Sequence, residues 1–116
     1  YADEWNAVFV PAARWKELDA RLDTLIAACG RRPGDVRRSL MTGLVFGRDQ
    51  AELERKLEQR GRTAPELIER GLIVGTPDEV SLQLERWAQA GVYRVMLQWL
   101  DLDDLDGLAA LAKAVL

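Results

Sequence analysis

Arg38-Ser39-Leu40-Met41-Thr42-Gly43-Leu44-Val45-Phe46 decides the fold class. From Leu40 to Phe46 the run is nearly continuous in apolar residues. A strand with one wet face alternates apolar and polar side chains, whereas a strand covered on both faces need not. Unbroken apolar runs of this kind belong to parallel sheets. Parallel neighbours must be joined by long crossovers, usually helices, so helical patterns are expected on either side.

They are present. Downstream, Gly47-Arg48-Asp49 leads into a helix over Gln50 to Arg60, with Asp49 and Glu52 three apart in a capping pattern and Gly61 as the stop. Leu53 and Leu57 are its only large apolar residues, which predicts a surface helix. Thr63-Ala64-Pro65-Glu66 opens a second short helix, closed by Gly71. Leu72, Ile73 and Val74 then lead to Gly75-Thr76-Pro77-Asp78-Glu79, the clearest helix start in the chain, with Thr76 as cap and Pro77 at the first helical position. Val80, Leu84, Trp87 and Ala88 form its apolar stripe, and Gly91 ends it. Val92 to Trp99 reads as another strand. Asp101, Asp103, Asp104 and Asp106 precede a last helix with an inner stripe of Leu105, Leu108, Ala109, Ala112, Val115 and Leu116.

Upstream, Asp3 to Val10 alternates as a first strand, and Pro11 opens a helix. Its stripe is Trp15, Leu18, Leu22, Leu25, Ile26 and Cys29, with Gly30 at its end and a turn cluster over Arg31 to Asp35. The expected order is therefore three strands alternating with helices in one α/β domain with a parallel sheet. Three strands cannot close a barrel, and an eight-stranded β/α barrel takes about 250 residues. Two bare sheet edges are expected, which is a pairing hazard unless further strands or a second copy cover them.

Composition narrows function. The 116 residues carry 16 Lys and Arg against 19 Asp and Glu, a net charge of −3, which is not the footprint of a nucleic-acid binder. No apolar run reaches the roughly 20 residues of a membrane span. Histidine is absent and Cys29 is the only cysteine, which removes the usual Ser/His and Cys/His nucleophile schemes and the common zinc sites. An internal disulfide is impossible, and a reducing, cytoplasmic setting is expected. Any chemistry is expected to rest on a bound cofactor. Tyr1-Ala2-Asp3 follows no initiator Met and no signal peptide, so the chain reads as starting inside a longer protein.

Taken together, the segments resemble luciferase-like monooxygenases. Tyr1-Ala2-Asp3-Glu4-Trp5-Asn6 is similar to one strand of that family, and Val36-Arg37-Arg38-Ser39 with the run after it to the next. Gly75-Thr76-Pro77-Asp78-Glu79-Val80, with Ala90-Gly91-Val92-Tyr93-Arg94-Val95-Met96-Leu97-Gln98, resembles the closing helix and strand, and the stretch from Asp101 to Leu116 the C-terminal helix. The resemblance covers the whole chain but only about the last third of a family member. It implies the C-terminal part of a (β/α)8 TIM barrel, incomplete here, and hydride transfer between a flavin-type coenzyme and a small organic substrate, without a metal. Glu4 in place of the commoner glycine points to the branch that uses the deazaflavin coenzyme F420, with FMN as the alternative. The family's phosphate-holding glycine segment lies upstream of this stretch, so these residues alone are expected to be inactive. A homo-oligomer is the implied state, and the competing reading is a non-catalytic half-barrel module that dimerises through its sheet edges. A flavodoxin-like domain ranks last, because Phe9-Val10-Pro11-Ala12-Ala13 has no glycine for a phosphate loop.

In such barrels the site lies at the strand C-termini. Trp5 and Asn6 on the first strand and Gln98 and Trp99 on the last are the candidate coenzyme contacts. The plainer alternatives are a core Trp5, an Asn6 bonded to a neighbouring loop, a solvent-facing Gln98 and a Trp99 packed under the final helix. Arg48 is either a phosphate contact at a helix start or an ion-pair partner of Glu52. Trp15, Trp87 and Met96 read as core, and Cys29 as a buried inert thiol. The aspartates from Asp101 to Asp106 lack the glycine and distal Glu of a calcium loop and read as helix capping. No residue stands out as a general acid or base.

Overall fold

The computed structural model describes residues 3–116, so the Tyr1-Ala2 start of the first motif lies outside the described residues. The elements are β1 (Glu4–Val8), α1 (Ala12–Ala28), β2 (Arg37–Phe46), α2 (Gln50–Arg60), α3 (Ala64–Glu69), β3 (Ile73–Gly75), α4 (Pro77–Ala90), β4 (Arg94–Gln98) and α5 (Leu105–Val115). Every strand pairing is parallel, as the apolar run required.

β2 is the centre of the sheet. β1 lies along Arg37–Met41 and β4 along Ser39–Gly43, so the two flank β2 on opposite sides. β3 pairs with the far end of β2, at Leu44, Val45 and Phe46. The alternation of β2 hydrogen bonds places β3 on the β1 flank: Arg37 N–H donates to Asp3 O and Gly47 N–H donates to Gly75 O, both from odd positions. β1 turns away at Phe9, whose φ is +50°, and β3 takes up the pairing it leaves. Gly71 makes that junction possible. Its φ is +92°, and a Cβ there would lie 2.7 Å from the carbonyl carbon of Val10.

The sheet thus has four strands where the sequence pattern gave three. Ile73–Gly75 is too short to show a strand period. It is held instead by β2 and by a side chain, because Gln83 accepts from Val74 N–H (3.2 Å) and donates to Val74 O (2.7 Å). That amide stands in for the missing neighbour strand.

Alternation divides the sheet into two faces. On the first, Trp5, Ala7, Leu40, Leu44, Phe46, Ile73, Val95 and Leu97 meet α1, α4 and α5. Trp15, 1% exposed, stacks on Trp5 at 6.2 Å and meets Trp87 edge-on at 5.9 Å. Its indole N–H has no hydrogen-bond partner among the described residues. Arg38 also lies on this face. It donates to Asp19 (2.7 Å), to Asp23, and to the carbonyls of Pro33 and Val36, fastening β2 to α1. On the second face, only the C-terminal end is covered: Val45 and Val74 pack against Leu53 of α2 and Leu67 of α3. Below it, Glu4, Asn6, Val8, Arg37, Ser39, Met41, Arg94, Met96 and Gln98 share a face on which no helix among the described residues lies.

The structure departs from the sequence expectations at several positions. Cys29 is exposed, because the α1 stripe runs out before the helix ends, leaving Leu25 62% exposed as well. The α5 stripe is rotated: Leu111 is buried while Leu105, Leu108 and Leu116 are exposed. That helix is apolar nearly all round, so packing against α4, not its own period, selects the buried side. α2 is a surface helix as expected, yet its Leu53 is 3% exposed, and a Cβ on Gly47 would lie 2.5 Å from Leu53 N. Met96, expected in the core, is half-buried on the open face.

Candidate functional site

The ends of β2 and β4 and the last turns of α2 enclose a cleft of about 220 Å³. Its walls are Phe46 from β2, Gln98, Trp99 and Asp101 from the β4 end, and Lys56, Gln59 and Arg60 from α2. Lys56, Gln59 and Arg60 are spaced i, i+3, i+4, so they form one polar stripe of the helix. The other stripe, Leu53 and Leu57, packs on Val45 and Val74.

Each wall residue is positioned by its element. Lys56 Nζ donates to Phe46 O at 2.7 Å and lies 5.6 Å from the Trp99 ring centre. Trp99 is fixed by its own N–H, which donates to Asp101 O at 2.7 Å, and by Phe46 at 6.5 Å between ring centres. Gln98 pairs with Gly43 and faces the open side of the sheet.

Glu52 sits one turn before Lys56. Its carboxylate accepts from Arg48 through Nε (3.0 Å), Nη2 (2.9 Å) and the backbone N–H (3.1 Å). These bonds, with Lys56 nearby, hold the buried Glu52 carboxyl below the usual carboxylate range against the opposing effect of burial. Arg48 is accordingly an ion-pair partner, and its guanidinium is held still more firmly protonated. Asp104 caps α5, accepting from Gly107 N–H at 2.8 Å.

The four candidate coenzyme contacts do not converge. Gln98 and Trp99 share the cleft. Asn6 lies on the same face as Gln98, but its level on β2 is Ser39, against Gly43 for Gln98, about 13 Å along the strand. Trp5 points to the opposite face, into the helix layer, where it stacks on Trp15. Asn6 accepts from Ser39 Oγ at 3.2 Å, and Glu4 competes for the same hydroxyl at 3.0 Å. Ser39 is wholly buried, and one hydroxyl proton serves both acceptors. Arg94 approaches Glu4 at 3.8 Å across the strand.

No protein-family model and no curated protein matches the chain.

Lys56, Gln59 and Arg60 were not singled out in the sequence. The available signal was the i, i+3, i+4 polar stripe on a helix that starts at a strand C-terminus. Among the described residues, no group of carboxylates and thiols is arranged to hold a metal ion, and no helix is long and apolar enough to cross a membrane.

Proposed function

We propose that this chain forms the closing β/α units of a luciferase-like oxidoreductase barrel that binds a deazaflavin or flavin coenzyme. One observation carries the reading. β1, β2 and β4 lie side by side in chain order, their connecting helices α1 and α4 cover one face, and the other face stays open and partly polar. A β/α barrel has this asymmetry, with helices outside and a side-chain-lined interior. On that reading the second face is the barrel interior, and α2 and α3 fold over its C-terminal mouth. The extents of 51 × 26 × 22 Å and a radius of gyration of 15.8 Å support it, since a compact domain of this length has about 13 Å.

The residues present fit the coenzyme in part. Gln98 and Asn6 offer amide groups on the interior face and Met41 and Met96 offer apolar surface, whereas Trp5 faces away. The cleft alone is smaller than the ~300 Å³ or more of a complete ligand pocket. These residues would bind one edge of the ring and orient it, and the remaining wall would come from other strands. When bound, the coenzyme supplies the hydride-exchanging ring. The chain supplies orientation, a dry wall at Trp99 and hydrogen bonds from Gln98.

The test is intact mass and coenzyme binding of the protein isolated from its native source. A mass near 27 kDa or more, with saturable binding of coenzyme F420 in preference to FMN, is expected, because a full barrel takes about 250 residues. A native mass of 13.0 kDa with no binding of either coenzyme overturns the reading. The outer edges of β1 and β4, which pair with no strand among the described residues, then favour the second reading, a half-barrel module that pairs with another copy.

A further inference from the structure

The cleft at the ends of β2 and β4 carries more positive charge than the chain neutralises. The Lys56 side chain is 23% exposed, and its ammonium sits between Phe46 O at 2.7 Å and the Trp99 ring at 5.6 Å. Its single ion-pair partner among the described residues is Glu52, at 3.7 Å. That carboxylate is already committed to Arg48 through three hydrogen bonds, and Arg55 lies 3.9 Å away as a further cation. Arg60, in the same wall, forms no ion pair among the described residues. Asp101 is the one acidic residue lining the cleft, against Lys56 and Arg60. Gln59 adds a neutral amide donor, and the Trp99 ring closes the side. A small, half-enclosed site with two cations, an amide donor and one opposing carboxylate suits an oxyanion. Its volume of about 220 Å³ fits one end of a ligand, not the whole.

We infer that this cleft, with Lys56 and Arg60, is a subsite for the oxyanion end, a carboxylate or a phosphate, of the organic substrate. That the ligand is the substrate rests on the oxidoreductase reading. The anion site stands on the cleft itself.

The experiment titrates the 15N-labelled protein with inorganic phosphate and, separately, with benzoate, following the indole N–H resonances of its tryptophans. Trp99→Phe assigns the reporter. The Trp99 resonance is expected to shift saturably while the Trp15 resonance stays in place. Lys56→Met weakens the response about tenfold, the effect of losing one charge-assisted hydrogen bond. Arg60→Gln weakens it about threefold, as an exposed charge does, and Lys16→Met leaves it unchanged. The stronger anion tells phosphate from carboxylate. No saturable shift with either anion, or an undiminished shift in Lys56→Met, overturns the inference. If Lys56→Met does not fold, Arg60→Gln decides, and unchanged affinity there overturns it. Coenzyme binding is measured apart. Phosphate binding without coenzyme binding sinks only the redox reading, and coenzyme binding without an anion response sinks only the subsite.

Discussion

The two faces of the sheet come from the same strands, yet they are built to different ends. One is dry, aromatic and covered by α1, α4 and α5, with Trp15 wedged between Trp5 and Trp87. The other carries Glu4, Asn6, Ser39, Arg94 and Gln98, and Val8 on it is 49% exposed. Polar side chains in the middle of a sheet give up the burial energy that apolar ones provide. They are tolerable where the face meets water, a ligand or a lumen. The covered face holds the fold, and the open face contributes little to it.

The comparison is tested most severely by truncating its two sides. Trp15→Ala removes the keystone of the covered face and should cost about 3–5 kcal/mol in urea unfolding. Val8→Ala on the open face should cost about 0.5 kcal/mol or less. Equal losses would mean that the second face is also packed. Arg38→Met comes next. Asp19 and Asp23 remain partly exposed and can rehydrate, so the loss should be about 2 kcal/mol, below that of a fully buried pair. Gln83→Leu follows. It leaves Val74 N–H and C=O unpaired at the edge of β3, for about 1–2 kcal/mol, and hydrogen exchange at Val74 should quicken selectively.

The sequence was legible where one local signal sufficed. The apolar run through Phe46 implied parallel pairing, and Thr76 with Glu79 marked a real helix start, where Thr76 N–H donates to Glu79 Oε1 at 3.1 Å. It failed where the decision was tertiary. β3 is three residues long and partly held by a side chain from α4. α5 has apolar residues all round, so its buried side depended on its neighbour. The site was half legible. Gln98 and Trp99 follow from lying at a strand end. For Trp5 the sequence left a coenzyme contact and a core position both open, because the strand's alternation does not say which side of the sheet the helices take; the structure packs it on Trp15. Lys56 and Arg60 look like ordinary surface charge until α2 is folded against the strand ends.

The smallest effect expected concerns the one place where the second face is covered. α2 is tied to the end of β2 by Glu52, through Arg48, and by Lys56, through Phe46 O. Because Glu52 titrates below its ordinary range in the folded state, its contribution is fully present above its unfolded pKa of about 4.3. It is lost as pH falls through the lower folded value. Arg48 is 46% exposed, so screening by solvent keeps the effect small. Asp35 is lowered too, by Arg32 N–H, but it sits in the turn beside β2, far along the chain from α2. Acid should therefore loosen α2 before it disturbs the covered face. The Trp99 indole resonance, beside Lys56, should move as pH drops below about 4.3, while that of Trp15 holds until global unfolding. Glu52→Gln should remove the early step. If Trp99 and Trp15 move together in both proteins, α2 is no separate cover, and the two faces answer to one core.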